Sequence, residues 1–220
     1  MINIAIDGPS GAGKSTIAKI LAKKLRIIYL DTGAMYRAVA LAVLDAGYEI
    51  NDKENVIKVL NNIKLEIKYS DNQQYVYLNG SNVSTRIREH HISQAASDVS
   101  KYPEVRVKLV EMQREIAAKN NVVLDGRDIT SYVLPNAQYK FFLTADVEER
   151  AKRRCDELTE KGSNIEYQTV LDDIKKRDAN DMNRAFAPLV KTEDSILIDT
   201  THMTIDEVAA KIITYIKLRG

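Results

Sequence analysis

Gly8-Pro9-Ser10-Gly11-Ala12-Gly13-Lys14-Ser15 is the stretch on which the reading of the whole chain turns. It fits G-x-x-x-x-G-K-[ST], and its flanks are those that give the pattern physical meaning. Residues 2–6 (INIAI) form an apolar run ending at Asp7, as expected of a parallel strand buried on both faces. Beyond the loop, Ile17, Ile20, Leu21 and Leu25 recur at helical spacing. Set between a strand and a helix, the glycines let the backbone curl until its N–H groups converge on phosphate oxygens, while the positive end of the helix faces the same anion. Lys14 adds a compact charge near the β- and γ-phosphates, and the Ser15 hydroxyl is placed to ligate Mg2+. The expected ATP-binding set is Gly8, Pro9, Ser10, Gly11, Ala12, Gly13, Lys14, Ser15 and Thr16.

Working outward, a second apolar piece at 27–30 meets Asp31-Thr32-Gly33, after which Met35, Val39, Ala42 and Val43 fit a helix. The middle changes character. Leu65, Ile67 and Tyr69 alternate with polar residues, Ser70-Asp71-Asn72 makes a turn, and 75–78 returns as a strand, which reads as an antiparallel hairpin. From about 84 to 120 the chain is polar and helical, with Pro103 placed to open a helix. Core-type strands resume at 122–124, 139–143 and 195–198, separated by helices at 146–161 and 166–183. Ile205, Val208, Ala209, Ile212, Ile213 and Ile216 line one face of a last helix. The pattern predicts one α/β domain over 1–220, a doubly wound parallel sheet flanked by helices, with 37–119 as an insert outside it. Ligands in such sheets sit at the carboxyl ends of the strands.

Bulk properties narrow the function. In 220 residues, 45% are hydrophobic and 29% charged, an ordinary globular profile. The net charge of +1 creates no overall field for nucleic acid or anionic membrane. No apolar run approaches the roughly 18 to 20 residues of a membrane span. The one cysteine, Cys155, has no intramolecular disulfide partner, and MINIAIDG lacks the features of a signal peptide. These readings predict a cytoplasmic protein acting as a monomer on small molecules. His90, His91 and His202 lack neighbours at metal-ligand spacing, and Cys155 has no activating partner, so neither a transition-metal site nor a reactive thiol is expected.

No Asn-Lys-x-Asp base-reading motif of a GTPase switch is present, and the short chain favours phosphoryl transfer to a small acceptor, which needs a second anion site. Three clusters offer charge for it. Arg37 follows the Asp31-Thr32-Gly33 strand end by just over one helical turn, although alone it reads first as a surface ion pair. Asp125-Gly126-Arg127-Asp128 emerges after the buried run 122–124; a carboxylate there could hold a metal-bound water, and Arg127 could fork onto a phosphate. Arg177, Asp181 and Arg184 share one helical face by their spacing of four and three, which is also the pattern of an exposed charge ladder. Arg150, Arg153 and Arg154 share a face upstream.

Taken together, GPSGAGKS, LDTGAMYR, LDGRD and KRDANDMNRAFAPL, in this order, resemble the bacterial cytidylate kinase family over nearly the whole chain. The resemblance implies a P-loop kinase core, a nucleoside-monophosphate-binding insert at 37–119 and a short helical lid at 146–168. It implies transfer of the γ-phosphate of ATP to CMP or dCMP, with Mg2+, by direct in-line displacement. The same chemistry on UMP or another nucleoside monophosphate is the alternative. By resemblance, Thr32 lies near the acceptor, and Arg37 and Arg127 bind its phosphate. Ser97, Arg106 and Asp128 read the cytosine edge, Arg177 and Asp181 contact the ribose, and Arg184 lies between the two phosphates. Asp125 joins the acceptor set, Lys14, Arg127 and Arg184 are the expected catalytic residues, and Arg150, Arg153 and Arg154 fall in the lid segment.

Two departures from the family stand out. After Gly126-Arg127-Asp128-Ile129 the family usually has Gly-Thr-Val, whereas this chain has Thr130-Ser131-Tyr132. A branched Cβ tolerates positive φ poorly, so a loop of altered shape is expected. Asn82 stands where aspartate is common.

Overall fold

The computed structural model describes residues 1–70, 73–160, 162 and 165–219. Asp71 and Asn72 of the expected hairpin turn, part of the 146–168 segment and the His90 side chain lie outside the described residues. Five strands form the main sheet: β1 (Asn3–Asp7), β2 (Ile28–Asp31), β6 (Val122–Gly126), β7 (Tyr139–Thr144) and β8 (Ile196–Asp199), in the order β2-β6-β1-β7-β8. β1 pairs in parallel with β7, Ile4 opposite Tyr139 and Asp7 opposite Phe142, and β7 in parallel with β8, Phe141 opposite Ile196. Ile4, Ala5, Ile6, Val122, Val123, Leu124, Phe141 and Leu143 have no solvent exposure, as continuous apolar strands covered on both faces must. The sheet and its intervening helices match the expected α/β class.

The chain divides into two compact units, one comprising Met1 with 28–122 and the other 2–27 with 123–220. In the second, α1 (Lys14–Leu25) buries Ile17, Ala18, Leu21 and Ala22, and α8 (Ile205–Arg219) buries Val208, Ala209, Ile212 and Ile216; the two helices pack together. Each fully buried Leu or Ile contributes about 1.5–3 kcal/mol. α6 (Val147–Glu160) and α7 (Tyr167–Asn183) form a helical pair around Ala151, Leu158, Val170, Leu171 and Ile174.

In the first unit, α2 (Thr32–Asp45) is almost wholly apolar and packs on α4 (His90–Val99) and α5 (Pro103–Lys119). Pro103 sits in the first turn of α5, where its missing N–H costs nothing. α3 (Lys53–Asn62) starts at Asp52, whose carboxylate accepts from Asn55 N. The expected hairpin is β3 (Leu65–Ser70) and β4 (Gln73–Leu78), running from Leu65 opposite Leu78 to Ser70 opposite Gln73. A third strand, β5 (Ser81–Asn82), extends it. Two residues carry no alternation, so nothing local announces β5. Asn82 Oδ1 accepts from Ser84 N at 3.0 Å and Ser84 Oγ at 2.7 Å, a pairing that needs an acceptor and no charge.

The departure after Ile129 has a definite shape. Residues 129–133 form a π-helical turn, closed by Val133 N to Asp128 O at 3.0 Å and Leu134 N to Ile129 O at 2.8 Å. Among the described residues other than glycine, only Arg26, Asn79 and Ala187 have positive φ, so Thr130 carries no left-handed strain. A wider i→i+5 turn accommodates the branched side chain, where the sequence had suggested a conflict.

Candidate active site

The carboxyl end of β1 delivers the chain into the phosphate loop. Gly8 has φ +146°, and a Cβ there would lie 1.9 Å from the Leu143 carbonyl oxygen on β7, so no other residue fits without opening the sheet. Gly13, at φ 82°, precedes the first residue of α1, which is Lys14. Lys14 is buried and donates from Nζ to Pro9 O at 2.6 Å. Burial, followed by the charge of Arg127, holds its pKa well below the usual lysine range, while Asp125 opposes the fall. A nearby anionic phosphate would raise it again. Ser15 Oγ donates to Asp125 Oδ2 at 2.7 Å, joining the loop to the end of β6.

Beneath the loop lies a clamp that the sequence did not reveal. Asp178 Oδ1 accepts from Ser10 N at 3.0 Å, and its Oδ2 accepts from Arg150 Nη1 at 2.6 Å. Arg150 also donates to Ser10 O at 2.8 Å and, through Nε, to Ala145 O at 2.9 Å. Of the three arginines read as one lid face, Arg150 is thus buried under the phosphate loop. Arg153 donates to Thr200 O at 2.7 Å, and Arg154 pairs with Glu157 at 2.8 Å on the surface. Their shared helical face meets three different tertiary surroundings, which i, i+3, i+4 spacing alone does not distinguish.

Arg127, Asp128, Asp181 and Arg184 form one network. Arg127 Nε donates to Asp181 Oδ2 at 2.7 Å, while Arg184 lies 3.6 Å from Asp181 and 3.5 Å from Asp128. Burial works hardest against the Arg127 charge, yet the carboxylates of Asp181, Asp178 and Asp125 hold its pKa above the usual arginine value. For Asp181, burial pushes upward, but Arg127, Arg177 and Arg184 together bring its pKa below the ordinary range. Arg177 is therefore electrostatically part of this group, and Asp181 is only 5% exposed, but Arg184 follows the last residue of α7 in extended conformation and so leaves the helical face that the spacing of 177, 181 and 184 suggested. Asp7, one residue before the loop, has no solvent exposure and accepts hydrogen bonds from Ile129 N, Thr130 N and Thr130 Oγ1. Burial lifts its pKa to about 6, against those hydrogen bonds and with the help of Asp128.

In the unit of residues 28–122, Asp31 caps α2 by accepting from Ala34 N at 2.9 Å and pairs with Arg37 Nη2 at 2.8 Å. Gly33 keeps that pair in place, since a Cβ there would come within 3.1 Å of Arg37 Nη1 and 3.3 Å of Asp31 Oδ1. Gln74 of β4 grips the same residue from the other side, accepting from Asp31 N at 2.8 Å and donating to Asp31 O at 3.2 Å. Burial opposes ionisation of Asp31 most strongly, but Arg37, the Ala34 N–H and Arg88 bring its pKa below the normal value. Thr32 is buried at the start of α2. Arg106, only 1% exposed, stacks its guanidinium 5.4 Å from the Tyr36 ring centre. The Ser97 hydroxyl is buried with no hydrogen-bond partner among the described residues.

Sequence reasoning missed Asp7, Asp178 and Gln74. Asp7 and Asp178 had a signal, being carboxylates at a strand end and inside an Arg-Asp repeat; Gln74 had none.

The cytidylate kinase family model matches residues 4–218. The chain belongs to the cytidylate kinase family. It is 54% identical over 212 residues to a cytidylate kinase from Caldicellulosiruptor bescii, covering 96% of this chain and 94% of the relative. It is 51% identical over 215 residues to a cytidylate kinase from Clostridioides difficile, covering 98% of each. A crystal structure of an uncharacterised protein from Eubacterium ventriosum superposes with a TM-score of 0.57 over 99% of each chain, at 18% identity, a likeness of fold alone. Cytidylate kinases use ATP, which accounts for a phosphate loop in this member.

Proposed function

We propose that this cytidylate kinase family member moves the γ-phosphoryl group of ATP directly onto the phosphate of CMP or dCMP, giving ADP and CDP or dCDP. The observation that carries the proposal is the interior network of Lys14, Arg127, Asp181 and Arg184 in the same unit as the phosphate loop. Phosphoryl transfer passes through a loose transition state, so alignment and charge stabilisation suffice. The acceptor oxygen is already anionic, and no covalent intermediate is required.

Gly8 to Ser15 and Thr16 would hold ATP, with Lys14 on its terminal phosphates. The resemblance assigns Thr32, Arg37, Ser97 and Arg106, and separately Asp125, Arg127, Asp128, Arg177, Asp181 and Arg184, to the acceptor nucleotide. Asp181 and Asp128, paired with Arg127 and Arg184, would hold those guanidiniums in place until a phosphate arrives. Ser15 Oγ and Asp125 Oδ2, 2.7 Å apart, are two hard oxygen donors that suit Mg2+, an ion that takes one or two protein oxygens and fills its shell with phosphate and water. When bound, it would neutralise charge on the phosphate oxygens. We read 37–119 as the monophosphate-binding insert and 146–168 as the lid, whose closure would exclude water from ATP. Cytoplasmic action as a monomer, without nucleic acid or membrane, completes the reading and accords with a net charge of +1.

The test is ADP release by the purified chain with Mg-ATP and CMP, dCMP, UMP or AMP. CMP and dCMP should exceed AMP in kcat/KM by at least about a hundredfold, because a site built of hydrogen-bonding groups rejects a mismatched edge. Equal turnover of AMP and CMP would remove the base-reading roles of Arg106 and Asp128.

A further inference from the structure

We propose that Thr130, acting on Asp7, is a positioning residue that fixes Arg127 and Asp128 relative to the phosphate loop. The inference rests on the reading of Arg127 as a transfer residue. Asp7 ends β1 and is covalently next to Gly8; Ile129 and Thr130 follow Asp128 directly. Asp7 Oδ1 accepts from Ile129 N at 2.9 Å, and Oδ2 accepts from both Thr130 N and Thr130 Oγ1 at 2.7 Å. Both carboxylate oxygens are engaged, and Asp7 and Thr130 are 0% and 1% exposed.

The segment is held at its other side too. The Tyr132 ring packs edge-on against Phe186, with centroids 4.9 Å apart and planes at 74°. Phe186 lies two residues beyond Arg184, whose guanidinium is 3.5 Å from Asp128. The π-helical turn from Ile129 to Val133 is therefore suspended between the strand that feeds the phosphate loop and the segment that carries Arg184. Thr130 and Tyr132 are two of the three residues by which this chain departs from the usual Gly-Thr-Val. A glycine at 130 would leave only the two backbone donors on Asp7. In this chain, the side chain adds a third hydrogen bond to the link.

The experiment compares Thr130→Val, Thr130→Gly and Thr130→Ser with the parent enzyme, measuring kcat, both KM values and thermal unfolding. Loss of the hydroxyl in Val or Gly should lower kcat about tenfold or more, since small displacements of aligned groups are costly. Both KM values should stay within about threefold, and Ser should restore kcat. Should the valine variant not fold, the glycine variant carries the comparison, because it adds no atoms to the buried site. A kcat within twofold of the parent for the folded hydroxyl-free variants, or a serine variant as slow as they are, overturns the proposal. Arg127→Met separates the two levels: if it retains kcat, the underlying reading of Arg127 fails, whereas an inactive Arg127→Met beside a fully active Thr130→Gly defeats the positioning role alone.

Discussion

Replacing Arg150 by methionine tests the clamp beneath the phosphate loop. Met matches much of the length of the arginine stem but removes three donated hydrogen bonds, those to Ala145 O, Ser10 O and Asp178 Oδ2. Arg150 and Asp178 are 6% and 7% exposed, so Asp178 would lose its ion-pair partner at a buried site while keeping the hydrogen bond from Ser10 N. Breaking one side of a buried ion pair costs about 3–5 kcal/mol. For a chain of this size each kcal/mol lowers Tm by about 2–4 °C, which places the expected drop at about 6–20 °C. Urea and thermal unfolding measure the loss, and the KM for ATP should rise because the Ser10 carbonyl oxygen loses its Arg150 donor. The double variant Arg150→Met with Asp178→Leu removes both charges of the clamp and should recover more than half of the loss. Stability of Arg150→Met within about 1 kcal/mol of the parent, or a double variant as unstable as the sum of the singles, would refute the reasoning.

Two further outcomes follow from the geometry of the sheet and its loops. Gly8→Ala forces a Cβ to 1.9 Å from a backbone oxygen of β7 and should cost more than about 4 kcal/mol, whereas Gly47→Ala, with φ +76° and open space around its Cβ, should cost about 1–2 kcal/mol in urea unfolding. Asp7 titrates at about 6 in the folded chain against 3.8 when unfolded, so the native state binds the extra proton between those values and the contribution of Asp7 to stability falls as pH rises. The stability of the parent minus that of Asp7→Asn should accordingly decline by roughly 2 kcal/mol from pH 4 to pH 7, and a flat difference would remove the shift.

The phosphate loop was legible because its information is local: glycines at fixed offsets, a lysine and a hydroxyl, bracketed by an apolar run and a helical period. The same holds for the strands of the main sheet, each a short apolar run with a polar stop. β5 and α3 escaped because a two-residue strand has no period, and the 53–62 stretch lies inside a segment read only as an insert. The arginines of α6 were legible as a shared face but not in their destinations, because Ser10, Asp178 and Thr200 lie far away in sequence. After Ile129 the conformation stays at negative φ and closes as a π-helical turn, so the conflict expected of a branched Cβ does not arise.

The strand-end aspartates show where local reading stops. Asp7, Asp31, Asp125 and Asp199 all follow short apolar runs, and nothing in their immediate sequence separates them. Asp31 and Asp199 find partners close by: the first caps α2 and pairs with Arg37, and the second accepts from Thr201 N and Thr201 Oγ1. Asp7 and Asp125 find theirs more than 100 residues away, in Thr130 and Ser15. Only the sheet order, with β6 and β7 on either side of β1, decides which strand end meets which loop. A carboxylate satisfied by its own neighbours acts within one element. One satisfied across the sheet ties two loops together, so its loss should be felt in the chemistry of both, and Asp7 and Asp125 are for that reason the strand-end positions at which substitution should separate turnover from stability.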